Sequence, residues 1–376
     1  MKKFIFATAV LVSTIVGVGM FSLPYAGSKT GFYLAAIFLI FLAIVMAIVH
    51  LFYGEIVSRT KEKHRLVGYA EKYLGKWGKR IVSFSVIIGF YGSLLVYMIV
   101  GGTFLKTIFS FTNFSLDFFS LMFFIIGAIV IYCGIKLIAE LDFVMSLFLI
   151  FIVLLFLFIG IPHIDISNLN HTNIKNFFIP YGAILYSLAG IAAIPEIKDF
   201  FSGKNRKKYK KAILLGTLIP AVLYIIFMWS VIGMTGTETS PESIIGLSGI
   251  LGDKVIFIGA IFGFLATITS FFVLGISLKS TFRYDFKIKK DMAWFLVCLV
   301  PLLLFILGFR NFVPAIVLLG SLMGAIEGSA IVLIFRKAKK EGNQRPIYSI
   351  KIWPIIGWII IGMFVLGFIS TVVSSL

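Results

Sequence analysis

Gly17-Val18-Gly19-Met20-Phe21-Ser22-Leu23-Pro24 interrupts the first apolar run of the chain, and its reading decides the fold. A second interruption, Ser187-Leu188-Ala189-Gly190-Ile191-Ala192-Ala193-Ile194-Pro195, falls about halfway along. Both read Gly, three residues, an aliphatic, then Pro. Glycine weakens a helix, and proline cannot donate to the preceding turn. Inside lipid an unpaired backbone group costs several kcal/mol, so broken helices persist only where they are buried in protein or line a cavity. A matched pair of such breaks in the two halves of a chain points to the binding site of a transporter.

The surroundings of the breaks are those of a membrane protein. Sixty per cent of the 376 residues are hydrophobic, 13% are charged, and the mean hydropathy is +1.07. That profile excludes an ordinary soluble domain. Windows of about twenty apolar residues predict eleven spans. The first five are Phe4–Tyr25, Phe32–Val57, Ile81–Ile108, Phe118–Leu137 and Phe143–Ile161. The next five are Phe177–Ile197, Ala212–Met234, Val255–Leu278, Met292–Leu307 and Val313–Phe335, and Trp353–Val373 is the last. Lys2 and Lys3 before an apolar run resemble a signal peptide, but no small-residue cleavage site follows, so the run reads as a retained span. Residues 64–80 are amphipathic and are expected to lie along the interface before the third span.

The net charge of +18 invites a nucleic-acid reading that the positions of the charges oppose. With the N-terminus in the cytoplasm, alternation leaves only Lys29, Lys106, Lys175, Lys254 and Arg310 outside, and the other 29 of 34 Lys and Arg inside. The basic character is therefore a topology signal, giving a cytoplasmic N-terminus and an extracytoplasmic C-terminus in the plasma membrane. Cys133 and Cys298 lie in apolar stretches and support neither a disulfide nor a zinc site.

The breaks fall in spans 1 and 6. An offset of five makes these two helices antiparallel, so residues 1–161 and 172–340 read as inverted halves, with 350–376 outside the repeat. The half-helix starting near Gly19 turns the amides of Gly17, Val18 and Gly19 toward the gap, an arrangement suited to a carboxylate. Carbonyls near Ile15 and Val16, and near Tyr186 and Ser187, suit a cation. A gap offering both poles fits a zwitterion, and Thr14, Leu188 and Gly190 flank it. Tyr91, Tyr97 and Phe271 are the expected liners toward the substrate side chain. Glu327 is the outstanding carboxylate within a span and the candidate for proton coupling; it adjoins Gly320, Gly324 and Gly328, whose spacing of four makes a close-packing face. Glu55 and Glu196 read as helix-end residues, Glu140 and Asp142 as loop residues, and His50 as a packed side chain.

The run Gly17 to Ala26, with Ser187-Leu188-Ala189-Gly190 and Ile194-Pro195-Glu196-Ile197, resembles the first and sixth helices of amino acid permeases. The resemblance is to the amino acid/auxin permease group and the bacterial aromatic and hydroxy amino acid permeases, within the amino acid–polyamine–organocation superfamily. It implies an all-α leucine-transporter fold and cation-coupled symport of neutral or aromatic amino acids by alternating access, with no other cofactor. In sodium-coupled relatives a Thr-Ser pair in the eighth helix holds the ion; the matching positions are Thr269 and Ser270, with carbonyls of Ala266, Ser13 and Val16. The bacterial relatives are proton-coupled, so the resemblance leaves H⁺ and Na⁺ both open. No cluster of nucleophile and base or of metal ligands marks an enzyme, and no pore-lining polar stripe marks a channel. A non-transporting amino acid sensor of the same fold is the alternative.

Overall fold

The computed structural model describes residues 2–134, 138–201, 208–284, 286–351 and 353–375, and among these it is helical with no strand. The first apolar run forms α1 (Lys2–Ile15) and α2 (Gly19–Thr30), bent by 55° across the glycines. No side chain caps α2, and Pro24 within it leaves Met20 without the usual amide donor. At Gly31 the backbone takes φ 104°, and a Cβ there would lie 2.1 Å from the His171 carbonyl, so only glycine permits the turn into α3 (Phe32–Arg59).

Helix α4 (Leu66–Ile108) contains a second glycine device. Gly75 is non-helical, with φ 77°, and separates the amphipathic segment from the long apolar rod. The interfacial helix expected over 64–80 thus ends at Gly75, and Lys76–Arg80 already belong to the rod. Helices α5 (Leu116–Cys133) and α6 (Ile138–Gly160) complete the first half. Because α6 begins at Ile138, Glu140 and Asp142 lie in its first turn rather than in a loop.

The second half opens with the other broken span: α7 (Ile179–Ser187), a 3₁₀ turn at Ile191–Ala193, and α8 (Ile194–Lys198). Pro195 sits in the first turn of α8, where its missing amide costs nothing. Then come α9 (Tyr209–Thr235), the short α10 (Ser248–Leu251), α11 (Asp253–Tyr284) and α12 (Lys290–Ile306). Helix α13 (Phe312–Met323) passes through a π-helical turn, Gly324–Gly328, into α14 (Ser329–Glu341), and α15 (Pro354–Ser375) closes the chain.

Among the described residues eight helices are long and apolar enough to cross a bilayer, and the bent pair α1–α2 makes nine. The expected eleven is not reached on length and composition. Helix α12 has only 17 residues, and the described apolar stretch in the α6 region is Ile150–His163. Large apolar side chains nevertheless stay exposed at helical spacing: Ile37, Ile40 and Ile44 on α3, Ile125 and Ile129 on α5, Ile359, Leu366 and Val373 on α15. Such faces are far too apolar for water and suit lipid.

The connections sort to opposite ends. At one, the loop before α4 meets α8 and the segment after α14 through Lys63–Asp199, Arg65–Glu196 and Asn343–Glu62 contacts. At the other, Thr30 and Lys29 meet Asn176, and Lys29 reaches Thr237. Most of the cationic side chains collect at the first, basic end.

Candidate substrate and ion site

The two breaks touch. A Cβ on Gly19 would fall 2.5 Å from Ser187 Oγ and 2.9 Å from its Cα, and one on Gly190 would fall 2.6 Å from Ile15 Cγ1. Each break therefore supplies a glycine that lets the other approach. In the first, Val16 N–H is the last amide bonded back into α1 (to Val12), and Met20 N–H is the next bonded, to Gly17. The amides of Gly17, Val18 and Gly19 between them have no backbone acceptor among the described residues, and the carbonyls of Ser13, Thr14 and Val16 have no backbone amide donor. In the second, Leu188 donates to Ile184 and Ala189 to Tyr186, and pairing resumes with Ala193 to Gly190.

Hydroxyls gather at this junction. Tyr224 of α9, fully buried, places its hydroxyl 2.9 Å from the Ile15 carbonyl and 2.9 Å from the Ser187 carbonyl. Ser270 Oγ and the Tyr97 hydroxyl both face Gly17, 3.4 and 3.6 Å from where its Cβ would stand. Tyr186 on α7 is buried, and its hydroxyl lies beside those of Tyr97 and Ser93.

Glu327 stands on the far side of the second break. It is buried in the π-helical turn of the tenth expected span and accepts from Ser85 Oγ of α4 at 3.0 Å. Such turns inside α-helices recur at functional sites. A cavity of about 20 Å³, enough for roughly one water molecule, is lined by Glu327 together with Tyr186, Ala189 and Ile191 of the break. The carboxyl thus shares a space with the interrupted backbone. Backbone contact holds this wall in place: Gly320 abuts the Gly182 carbonyl and Gly182 the Val317 carbonyl, so α13 and α7 cross with no side chain between them. Gly324 meets Leu185, and Gly328 meets Phe364 of α15.

A tie to a neighbouring segment holds each end of the junction. At the basic end Arg65 pairs with Glu196 at 2.7 Å and donates to the Ala192 carbonyl at 3.0 Å, tying down the stretch that follows the second break. At the other, Ser243 donates to the Phe21 carbonyl of α2 at 2.6 Å from a left-handed backbone with φ 64°.

The tryptophan/tyrosine permease family model matches residues 1–373. The chain belongs to that family. A glutamine transporter of Aliivibrio fischeri is 23% identical to this permease over 312 residues, covering 80% of each chain. A tyrosine-specific transport system of Haemophilus influenzae is 25% identical over 372 residues, covering 94% of the permease and 92% of the relative. Among solved structures, the inward-facing conformation of Mhp1 superposes with a TM-score of 0.69 at 13% identity, covering 98% of this chain and 88% of that one. MhsT in complex with L-phenylalanine superposes at 0.67 and 16% identity, covering 97% and 98%. These identities carry the fold alone, the leucine-transporter fold. The family and its neighbours are transporters, not enzymes.

Within the permease, the expected residues divide. Gly17, Val18, Gly19, Tyr186, Ser187, Leu188 and Gly190 lie at the junction, with Thr14 one turn away donating to Val10. Ser270 faces the first break, while Thr269 bonds back to Leu265 and Ala266 of its own helix and Ser13 to Val10. Two expected liners are elsewhere. Tyr91 donates to the Leu296 carbonyl of α12, about 9 Å along α4 from Tyr97, and Phe271 packs edge-on against Phe123 and Phe124 of α5. Both were aimed at the gap by their place in the chain, but their helical phase turns them to neighbouring helices. The carbonyls of Ile15 and Ser187, read as open to a cation, are met instead by Tyr224.

Glu55 is buried and paired with Arg59, and it also accepts from the Ile350 amide at 2.6 Å, so it does not reach toward water. His50 faces Thr217 Oγ1 at 2.9 Å through Nδ1. The same hydroxyl also donates to the Ile213 carbonyl at 2.9 Å. No group of three metal-ligating side chains occurs among the described residues. Tyr224, Ser85 and Ser93 escaped the sequence reading; a tyrosine inside an apolar run was the available signal for the first.

Proposed function

We propose that this permease is a secondary active symporter of neutral or aromatic amino acids, working by alternating access in the plasma membrane. In this reading eleven spans form five-plus-five inverted halves and one extra helix, with a cytoplasmic N-terminus. The observation that carries the reading is the contact between the two interrupted spans, with three amides on the first that have no backbone acceptor among the described residues.

The chemistry follows from those groups. The α-carboxylate of the substrate takes the amides of Gly17, Val18 and Gly19 at the start of α2, where the helix dipole adds attraction. The ammonium turns to carbonyls that lack donors, those of Ser13, Thr14 and Val16 at the end of α1. Tyr186 and Tyr97 offer hydroxyls toward a polar or aromatic side chain. Substrate binding thereby completes groups that are otherwise unsatisfied, and closure of both ends around it excludes water.

Coupling is assigned to Glu327. A carboxyl within a span is expensive unless it is protonated or paired, and this one borders the space behind the second break. Its protonation lets the break close in the loaded state, and proton loss to the inner side reopens it. Sodium at Ser13, Val16, Ala266, Thr269 and Ser270 is the second reading, favoured by the nearness of Ser270 to Gly17.

Uptake of labelled amino acids into proteoliposomes, with proton and sodium gradients imposed separately, tests the proposal. Accumulation of tyrosine or another neutral amino acid under one of the gradients supports it. Absence of uptake with all twenty under both gradients refutes it, and ligand binding without counterflow would identify the sensor of this fold.

A further inference from the structure

Ile15 is the last residue of α1 and Ser187 the last of α7, and one hydroxyl, that of Tyr224, lies 2.9 Å from both of their carbonyl oxygens. Helix C-termini collect partial negative charge on carbonyls that have no amide to receive. Two such ends converging in a dry interior attract either a cation or a neutral donor. Here the donor is built in, on a side chain buried in α9. The separations are those of hydrogen bonds, whereas hard cations such as calcium draw oxygens to about 2.3–2.6 Å. A phenol has one proton, so the two acceptors share it.

We propose that Tyr224 is a positioning residue that stands where a coupling cation would otherwise bridge the two broken spans. It clamps both breaks to α9 and leaves this junction unable to hold an ion. The inference rests on the transport reading and narrows it: any sodium is confined to the oxygens of Ser13, Val16, Ala266, Thr269 and Ser270, so the breaks take at most one ion per cycle. The clamp also makes the end of α1 and the end of α7 move together, because loosening either carbonyl strands the hydroxyl against the other.

The test uses the full chain, with sodium or lithium chloride exchanged for choline chloride at constant ionic strength. In the unaltered protein, melting in detergent responds to sodium with a Hill coefficient no greater than one, or not at all. Tyr224→Phe keeps the ring and removes the donor. It raises KM for labelled tyrosine at least tenfold in choline, recovers at least threefold in sodium or lithium, and gains a sodium-dependent rise in Tm larger than any in the unaltered protein. A KM within twofold of the unaltered protein, an identical sodium response in both proteins, or a Hill coefficient approaching two in the unaltered protein overturns the proposal. Should Tyr224→Phe not fold, the Hill coefficient of the unaltered protein still decides. Should the unaltered protein carry no tyrosine, the melting comparison decides the clamp, and only the transport reading falls.

Discussion

Gly19 and Ser187 are in backbone contact across the two interrupted spans: a methyl group on the glycine would sit 2.5 Å from the serine Oγ and 2.9 Å from its Cα. Side chains can rotate away, but a Cα cannot move without its helix. Gly19→Ala therefore forces the breaks apart at the place where their unpaired groups face each other. Uptake should fall at least tenfold while the helices remain formed, as circular dichroism would report. The double variant Gly19→Ala/Ser187→Gly removes the Oγ clash but not the Cα clash, so it should recover only part of the activity. Full recovery would mean that the contact is a side-chain collision and not a meeting of backbones.

Glu327 and Ser85 make a second pairing that function should register. If protonation of the carboxyl drives the cycle, Glu327→Gln freezes the protonated form. Accumulation driven by a proton gradient should disappear, while exchange of internal for external substrate should persist and lose its pH dependence. Ser85→Ala removes the donor that the carboxyl accepts from. It should displace the pH profile of uptake, with helix content unchanged. Unaltered gradient-driven uptake in Glu327→Gln would remove the carboxyl from the coupling step.

The breaks were legible because glycine and proline act through the backbone. The interruptions written at Gly17–Pro24 and Ser187–Pro195 appear in the helix bounds: α1 ends at Ile15 and α2 starts at Gly19, while α7 ends at Ser187 and α8 starts at Ile194. Side-chain direction was less accessible. Tyr91 and Tyr97 share one helix, six residues apart, and only the packing of α4 against α11 and α12 sends one to the junction and the other to Leu296. Tyr224 shows the same limit. A phenol in an apolar span announces that it needs a partner, but not that both break carbonyls are that partner. The π-helical turn at Gly324–Gly328 was invisible for another reason. Its glycines read correctly as a packing face, yet the extra residue in the turn depends on how α13, α14 and α15 meet.

Glu62 sets an electrostatic boundary at the basic end. It accepts from Lys72 and from Asn343, and these hydrogen bonds bring its carboxyl from an ordinary value of 4.5 down to about 2. With the folded value depressed, the stabilisation is complete above the unfolded value and fades as pH falls toward about 2. Between pH 5 and 7 the tie from the loop before α4 to the segment after α14 does not titrate. Glu62→Gln should accordingly leave the shape of the uptake profile in that range unchanged. A displaced profile would show that this end, and not Glu327, senses the proton.

Lys279 fastens α11 to the end of α5. It lies in α11, only 5% exposed, and its ammonium donates to the carbonyls of Ile131 and Tyr132 in the last turn of α5. Those carbonyls lie at the negative end of the helix dipole, so a cation there is favoured. Gly275 brings the two helices close, since a Cβ on it would lie 2.1 Å from Ile131 Cδ1. Lys279→Met keeps the length and apolar stem of the side chain but removes the charge and the donor. Hydrogen bonds to charged groups contribute roughly 1.5–3 kcal/mol, so the variant should unfold more readily by about 2 kcal/mol, measured as a lowered Tm in detergent. Its KM for substrate should stay near that of the unaltered protein, because the lysine braces the scaffold and touches neither break. A variant that melts normally but binds substrate poorly would reverse that assignment and put Lys279 in communication with the site.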